Sequence, residues 1–235
     1  MKPQHVFPLA ALLTSYQTLN PATAFAETPA EKSETSKTAE EPQKEQVHGM
    51  VEVMAGHQSG TLDTKLSLPI APNTKIFNRN RITGLYEDGS VSSFHAFMLT
   101  YSPFVQGLDL VAEVDAISGV GLEPRTGIQY FRKLDDFKLA GFTSVSLQEN
   151  PTGLFLVNLS YNPKFNDIVG LATNAELITT VGEDGHNYSI QRLRLGVNLI
   201  GYQVGPALDL KEATNHQLGE TAVSYNLGGF LKTNF

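Results

Sequence analysis

The sequence predicts an all-β chain: a closed antiparallel transmembrane β-barrel of about twelve strands, with ten as the alternative, preceded by a disordered N-terminal segment. Three observations predict it. From residue 48 to the last residue, polarity alternates with period two, the periodicity of strands whose two faces meet different surroundings. No stretch of about eighteen consecutive apolar residues occurs, so a spanning helix is ruled out, while barrel strands need only about 9–11 residues each. Turn signals such as Leu134-Asp135-Asp136-Phe137 and Ile200-Gly201-Tyr202 punctuate the alternating segments at short intervals, as hairpins require.

The N-terminal part reads differently. Lys2 supplies a positive start, Val6 to Leu13 a short apolar run, and Ala24-Phe25-Ala26 a small-residue cleavage site before Glu27, so residues 1–26 are expected to be a signal peptide. Residues 27–47 hold Glu27, Glu31, Glu34, Glu40, Glu41 and Glu45 among Lys, Thr, Ser, Ala and Pro, with no aromatic residue. Such a segment cannot bury enough apolar surface to offset its ordering entropy, and is expected to be disordered. The barrel then occupies 48–235.

Strands are expected at 48–58, 61–69, 74–82, 90–102, 107–117, 125–134, 137–147, 153–162, 168–181, 187–200, 202–211 and 221–235. The alternation is plainest in four of them. Leu193, Leu195, Val197 and Leu199 oppose Arg192, Arg194 and Asn198; Leu108, Leu110, Ala112, Val114 and Ala116 oppose Asp109, Glu113 and Asp115. Leu62, Leu66 and Leu68 oppose Asp63, Lys65 and Ser67, and Tyr202, Val204, Leu208 and Leu210 oppose Gln203, Asp209 and Lys211. Segment 74–82 alternates poorly. Short turns are expected on one rim, and the longer connections Glu183 to Asn187 and Lys211 to Glu220 on the other. Tyr101, Phe104, Tyr130, Phe137, Tyr161, Phe165, Tyr202 and Phe235 fall near strand ends of one rim, as an interfacial girdle does.

The last strand is the most specific feature. Val223, Tyr225, Leu227, Gly229, Leu231, Thr233 and Phe235 alternate with Ser224, Asn226, Gly228, Lys232 and Asn234, and the sequence stops at an aromatic residue. This resembles the C-terminal strand of bacterial outer-membrane β-barrel proteins, over about fifteen residues. Thr233 departs from the usual large hydrophobic residue, and Phe230 lies on the polar face. The resemblance implies an outer-membrane location with both barrel ends periplasmic, contact with outer-membrane lipid, and recognition of the last strand by the barrel-assembly machinery.

If apolar side chains face lipid, the other parity fills the lumen. The expected lumen-lining set is Asp109, Glu113, Asp115, Glu176, Arg192, Arg194, Asp209 and Lys211, joined by Glu52, Asp63, Lys65, Arg79, Arg81, Lys138 and Lys232. Two uses compete: a charge-lined passage for small polar solutes, and a plugged structural or surface-interaction barrel whose charges pair across the interior. Arg192 and Arg194 are expected to brace Asp109, Glu113 or Asp115. A soluble sandwich or lipocalin-like barrel, apolar face inward, is the competing fold.

Other chemistry has little support. The chain has no cysteine and a formal charge of −7, so thiolate chemistry is excluded and nucleic-acid binding disfavoured. No cofactor or metal is expected; Glu183-Asp184-Gly185-His186 lacks the spacing of a calcium loop. His57-Gln58-Ser59 resembles the His-x-Ser pair of outer-membrane phospholipase A and lipid A deacylase, which implies a lipid hydrolase with His57 as base for Ser59. Gly60 stands where those enzymes carry Asn, and a polar hairpin tip is the plainer reading.

Overall fold

The computed structural model describes residues 46–105, 107–216 and 219–235; the expected signal peptide and nearly all of the acidic segment lie outside them. Twelve strands follow one another: β1 His48–Gly56, β2 Ser59–Ala71, β3 Thr74–Leu85, β4 Val91–Val105, β5 Leu108–Ile117, β6 Gly121–Leu134, β7 Phe137–Ser146, β8 Gly153–Tyr161, β9 Val169–Gly182, β10 Gly185–Leu199, β11 Tyr202–Asn215 and β12 Glu220–Asn234. Each pairs antiparallel with its sequence neighbours, and β1 pairs with β12, so the sheet closes on itself. Closure leaves no strand edge unpaired, which is what a sheet inside hydrocarbon needs.

The faces are sorted as a lipid-solvated barrel requires, and the lipocalin-like arrangement is excluded. Phe97 (51% exposed), Leu110 (49%) and Leu195 (57%) point outward, while Asp115 (1%), Asp209 (2%) and Arg125 (3%) point inward. On the outer face the rim holding His48 and Phe235, here the terminal rim, carries Tyr101, Tyr130, Phe137, Tyr161 and Tyr202. Phe137 and Tyr161 are register partners and stack with centroids 4.3 Å apart. The girdle is not the whole aromatic outer surface, because Phe155 and Tyr225 stand outward in the opposite half.

Two expectations about connections fail. The β9–β10 turn is only Glu183–Asp184, because Gly185 adopts φ 107° and lets that hairpin close early, and β11 runs on to Asn215. The longest connection, 162–168, lies on the terminal rim, so loop length does not divide the two ends. Its backbone is tied down by Asn166, whose Oδ1 accepts from the Ile168 N–H (2.9 Å) and the Val169 N–H (2.8 Å).

β3 alternates poorly because both of its faces are polar. Arg79, Arg81 and Thr83 point inward, and Asn78 and Asn80 outward into the apolar belt. The outward pair is satisfied locally: Asn80 Nδ2 donates to Asn78 Oδ1 (2.6 Å), Asn78 Nδ2 to the Ala96 carbonyl (3.2 Å), and His95 Nδ1 lies 2.9 Å from Asn80 Oδ1. Pairing offsets the cost of polar groups in an apolar medium.

The β1–β12 seam is close-fitting. Gly56 and Gly228 are register partners, and a Cβ at Gly228 would collide with the backbone of Ala55 and Gly56. The Gly49 N–H donates to the Phe235 carbonyl (2.6 Å) and the Phe235 N–H to the Gly49 carbonyl (3.0 Å). Inside the seam, Phe230 packs with Met54 and Ala207 as an apolar patch on an otherwise charged wall. Phe230→Ala is therefore expected to lower the unfolding free energy by about 3–5 kcal/mol, read from urea unfolding of the refolded barrel; a loss below about 1 kcal/mol would show that the patch does not hold the seam.

Candidate functional site

The alternation of β1, β2, β3, β9, β10 and β11 delivers charges of both signs to one side of the interior. Glu176 on β9 is the hub: it accepts from Arg79 Nη2 (3.0 Å), Arg192 Nη1 (2.5 Å) and Lys65 Nζ (3.4 Å). Asp63 on β2 receives the Arg79 fork, Nε at 3.1 Å and Nη2 at 2.6 Å, the bidentate geometry that makes such pairs strong. Asp209 on β11 accepts from Arg194 Nη1 (2.7 Å) and Arg81 Nη2 (3.0 Å), and Arg194 Nε donates to Glu52 (2.9 Å). Phe230 lies beneath, its centroid 6.0 Å from Arg194 Cζ.

This network spans the lumen. β3 and β9 stand six places apart in the ring of twelve, on opposite walls, and Arg79 and Glu176 meet between them. Dry charges are tolerated where each finds a partner and remaining hydrogen bonds are made. The expected partners of Arg192 and Arg194 are corrected here. Glu176 and Asp209 flank Arg192 in register on β9 and β11, so short reach favours them over Asp109, Glu113 and Asp115 on the distant β5.

The other side of the lumen, along β4 to β8, is open. One cavity of about 2500 Å³ is lined at the terminal rim by Lys133, Lys138 and Lys164 and at the opposite rim by Ser92, Ser118 and Gln148. Its wall includes the expected Asp109, Glu113, Asp115, Glu176, Arg192 and Lys211. Arg194 and Lys232 line a second space of about 350 Å³, and Asp209 lies within the ion-pair network. Asp109 accepts from Gln129 Nε2 (2.6 Å) and from the Ser102 hydroxyl. Lys133 and Lys138 face each other in register across β6 and β7, a like-charge pairing that costs stability, with Asp135 and Asp136 of the intervening turn lining the same mouth.

Glu123 and Arg125 on β6 belong to this wall and were not among the expected residues. Their shared parity with Gln129, six residues beyond Glu123 and four beyond Arg125, is the signal; placing the start of β6 at 125 hides it for Glu123. Every donor of Arg125 is used: Nε to Ser144 Oγ (2.9 Å), Nη1 to Glu123 (2.7 Å) and Thr152 Oγ1 (3.1 Å), Nη2 to the carbonyls of Ser144 (3.4 Å) and Thr152 (2.9 Å).

His57 and Ser59 do not form a catalytic pair. The Ser59 side chain is buried on the inner face, where Asn226 Nδ2 donates to its hydroxyl (2.9 Å). His57 Nδ1 accepts from the Leu227 N–H (3.0 Å), with its ring 5.0 Å from that of Tyr225. The physical reason is parity: a turn of only Gln58 beyond His57 leaves the two side chains on different faces.

The hub yields a test. Glu176→Gln, which leaves two guanidinium groups under-compensated, is expected to cost about 3–5 kcal/mol of unfolding free energy, whereas Lys65→Met at the wetter edge, 29% exposed, costs under about 1 kcal/mol. Equal losses in urea titrations would show that the cross-lumen contact is not special.

No family description matches the chain, and no curated protein does. Among solved structures it is similar to the KdgM porin, with 12% identity over 80% of this chain and 98% of that one and a TM-score of 0.45. It is likewise similar to the NanC porin, with 7% identity over 80% and 98% and a TM-score of 0.45. OmpT, an outer membrane protein of Vibrio cholerae, is similar with 7% identity over 81% and 97% and a TM-score of 0.36.

Proposed function

We propose that this protein is a small porin-like channel of the bacterial outer membrane that lets small polar solutes diffuse passively through its charge-lined lumen. The observation that carries the reading is the cavity of about 2500 Å³ with lining residues at both rims. A wall bearing Glu113, Asp115 and Glu123 on one side and arginines on the other solvates polar molecules and orients dipolar ones. The lysine-bearing terminal mouth faces the periplasm in this reading, and the last strand, ending at Phe235, is the segment the barrel-assembly machinery takes up.

The second reading, a structural barrel with a closed interior, is favoured by one observation: Arg79 and Glu176 bridge opposite walls. Planar-bilayer recording of the refolded protein separates the two. Stable unitary current steps are expected, and an Arg79→Ala/Glu176→Ala double variant, which removes the bridge, is expected to raise the unit conductance. Silence from a folded, heat-modifiable barrel would overturn the channel and favour the structural role.

A further inference from the structure

Strand alternation puts Glu113 and Asp115 on the same inward face of β5, about 7 Å apart along the strand. Arg125 and Glu123 are their register partners on β6. All four are more than nine-tenths buried, at 6%, 1%, 3% and 8% exposure in that order, and all line the large cavity. Three carboxyl groups face one guanidinium, and Glu113 and Asp115 lie within hydrogen-bond reach of each other, a contact they can make only by sharing a proton.

That guanidinium is already spent. Its five donors go to Glu123, Ser144 and Thr152, and none reaches Glu113 or Asp115. Glu113 Oε2 and Asp115 Oδ1 are buried with no hydrogen-bond partner among the described residues. The other buried inward carboxylates on the described strands each accept from a cation or an amide: Asp63 from Arg79, Glu176 from Arg79 and Arg192, Asp209 from Arg194, Asp109 from Gln129.

Within the register of β5, Arg125 is the one lysine or arginine that the described flanking strands bring, because Arg132 and Lys133 of β6 fall beyond the last pair, Leu108↔Tyr130. β5 is flanked only by β4 and β6. The inward residues of β4 beside the pair are Phe94, Ala96 and Met98, and His95 points outward to Asn80. On β6, Gln129 is engaged by Asp109. Across the cavity Arg79, Arg81 and Arg192 each pair with at least one of Asp63, Glu176 and Asp209, with Arg81 Nη1 and Arg192 Nε left without a partner among the described residues, and Lys211 lines that far wall. Two adjoining carboxyl groups with no ionic partner, on a largely desolvated wall that opens to the cavity, are stabilised by a positive species that joins them, a proton or a cation.

We infer that Glu113 and Asp115, with Glu123 beside them, form a cation-binding subsite in the wall of the passage, one that takes a small monovalent cation or the ammonium group of a solute in competition with a proton. It rests on the channel reading for its access to solutes. No group of three or more ligating side chains among the described residues is placed to coordinate a metal ion; the subsite proposed here attracts potassium or an ammonium group by charge, without a coordination shell of protein ligands.

Two measurements on the refolded full-length protein test this. The first is infrared titration of the protonated carboxyl band, assigned by its absence in a Glu113→Gln/Asp115→Asn variant, in potassium, methylammonium and bulky N-methyl-D-glucamine chlorides at one ionic strength. In potassium or methylammonium the midpoint is expected about one pH unit lower than in the bulky salt, a tenfold competition with the proton; which of the two shifts it identifies the occupant. Identical midpoints in all three salts overturn the subsite. The second is the reversal potential in a potassium chloride gradient, where a cation preference present at high pH is expected to fall on acidification and to vanish in the double variant. A protein that conducts with the same preference before and after substitution overturns the subsite and leaves the channel standing. A silent protein overturns the channel, and the infrared midpoints then decide the subsite alone.

Discussion

Ring closure is the constraint from which the rest of this structure follows. Backbone N–H and C=O groups inside hydrocarbon have no water to turn to, so the first strand must find the last. It does so along a register from Met50↔Asn234 to Gly56↔Gly228, and the pairing is tight enough that side chains are excluded at Gly228. Once the ring is shut, alternation leaves every second residue no choice but the interior. Lipid selects the apolar parity, and the charged parity is enclosed with itself.

Enclosure turns electrostatics into architecture. An arginine on such a wall can pair with a carboxylate on an adjacent strand, as Arg192 does with Glu176, or reach over the lumen, as Arg79 does to that same group. Glu176 collects both kinds of contact, and further pairs between non-adjacent strands, such as Arg81 with Asp209 and Arg194 with Glu52, brace the same side. Arg125 does neither: it is drawn to Ser144 and to the backbone of the β7–β8 connection at Thr152. Holding that connection against the wall occupies every donor of the arginine in register with Glu113, and Glu113 and Asp115 are left without an ionic partner.

Much of the barrel is legible in the sequence, because period-two polarity is a direct image of its two environments. Twelve strands emerge in order, and Leu193 to Leu199 against Arg192 and Arg194 already identifies inside and outside. What parity cannot supply is the identity of neighbours across the ring. Arg192 meets Glu176 through the β9–β10 register and Asp63 across the lumen on β2, neither of which a one-dimensional pattern contains. β3 is obscured for a different reason: Asn78 and Asn80 put polarity on the lipid side, made tolerable by their hydrogen bonds to each other, to the Ala96 carbonyl and with His95. Phe230 breaks the pattern in the opposite sense, an apolar residue inside, and its reason is the company of Met54 and Ala207. Glu123 was hidden by a strand boundary two residues too late.

Brace and passage coexist because side-chain length is distributed unevenly around the ring. The long cationic arms sit on β2, β3 and β10, where they meet acids from β1, β2, β9 and β11 and fill that side. From β4 to β8 the inward positions at the same level are Ala96, Met98, Phe142, Leu156 and Asn158, none of which reaches an opposite wall with a charge. Space is left where arms are short. A barrel of this strand number with long paired side chains all round would be filled, and one with none would be a wide, unselective tube. Concentrating the pairs on one side leaves a narrower passage whose free wall carries the unpaired acids, so the asymmetry of side-chain length sets both where a solute can go and which charge it meets there.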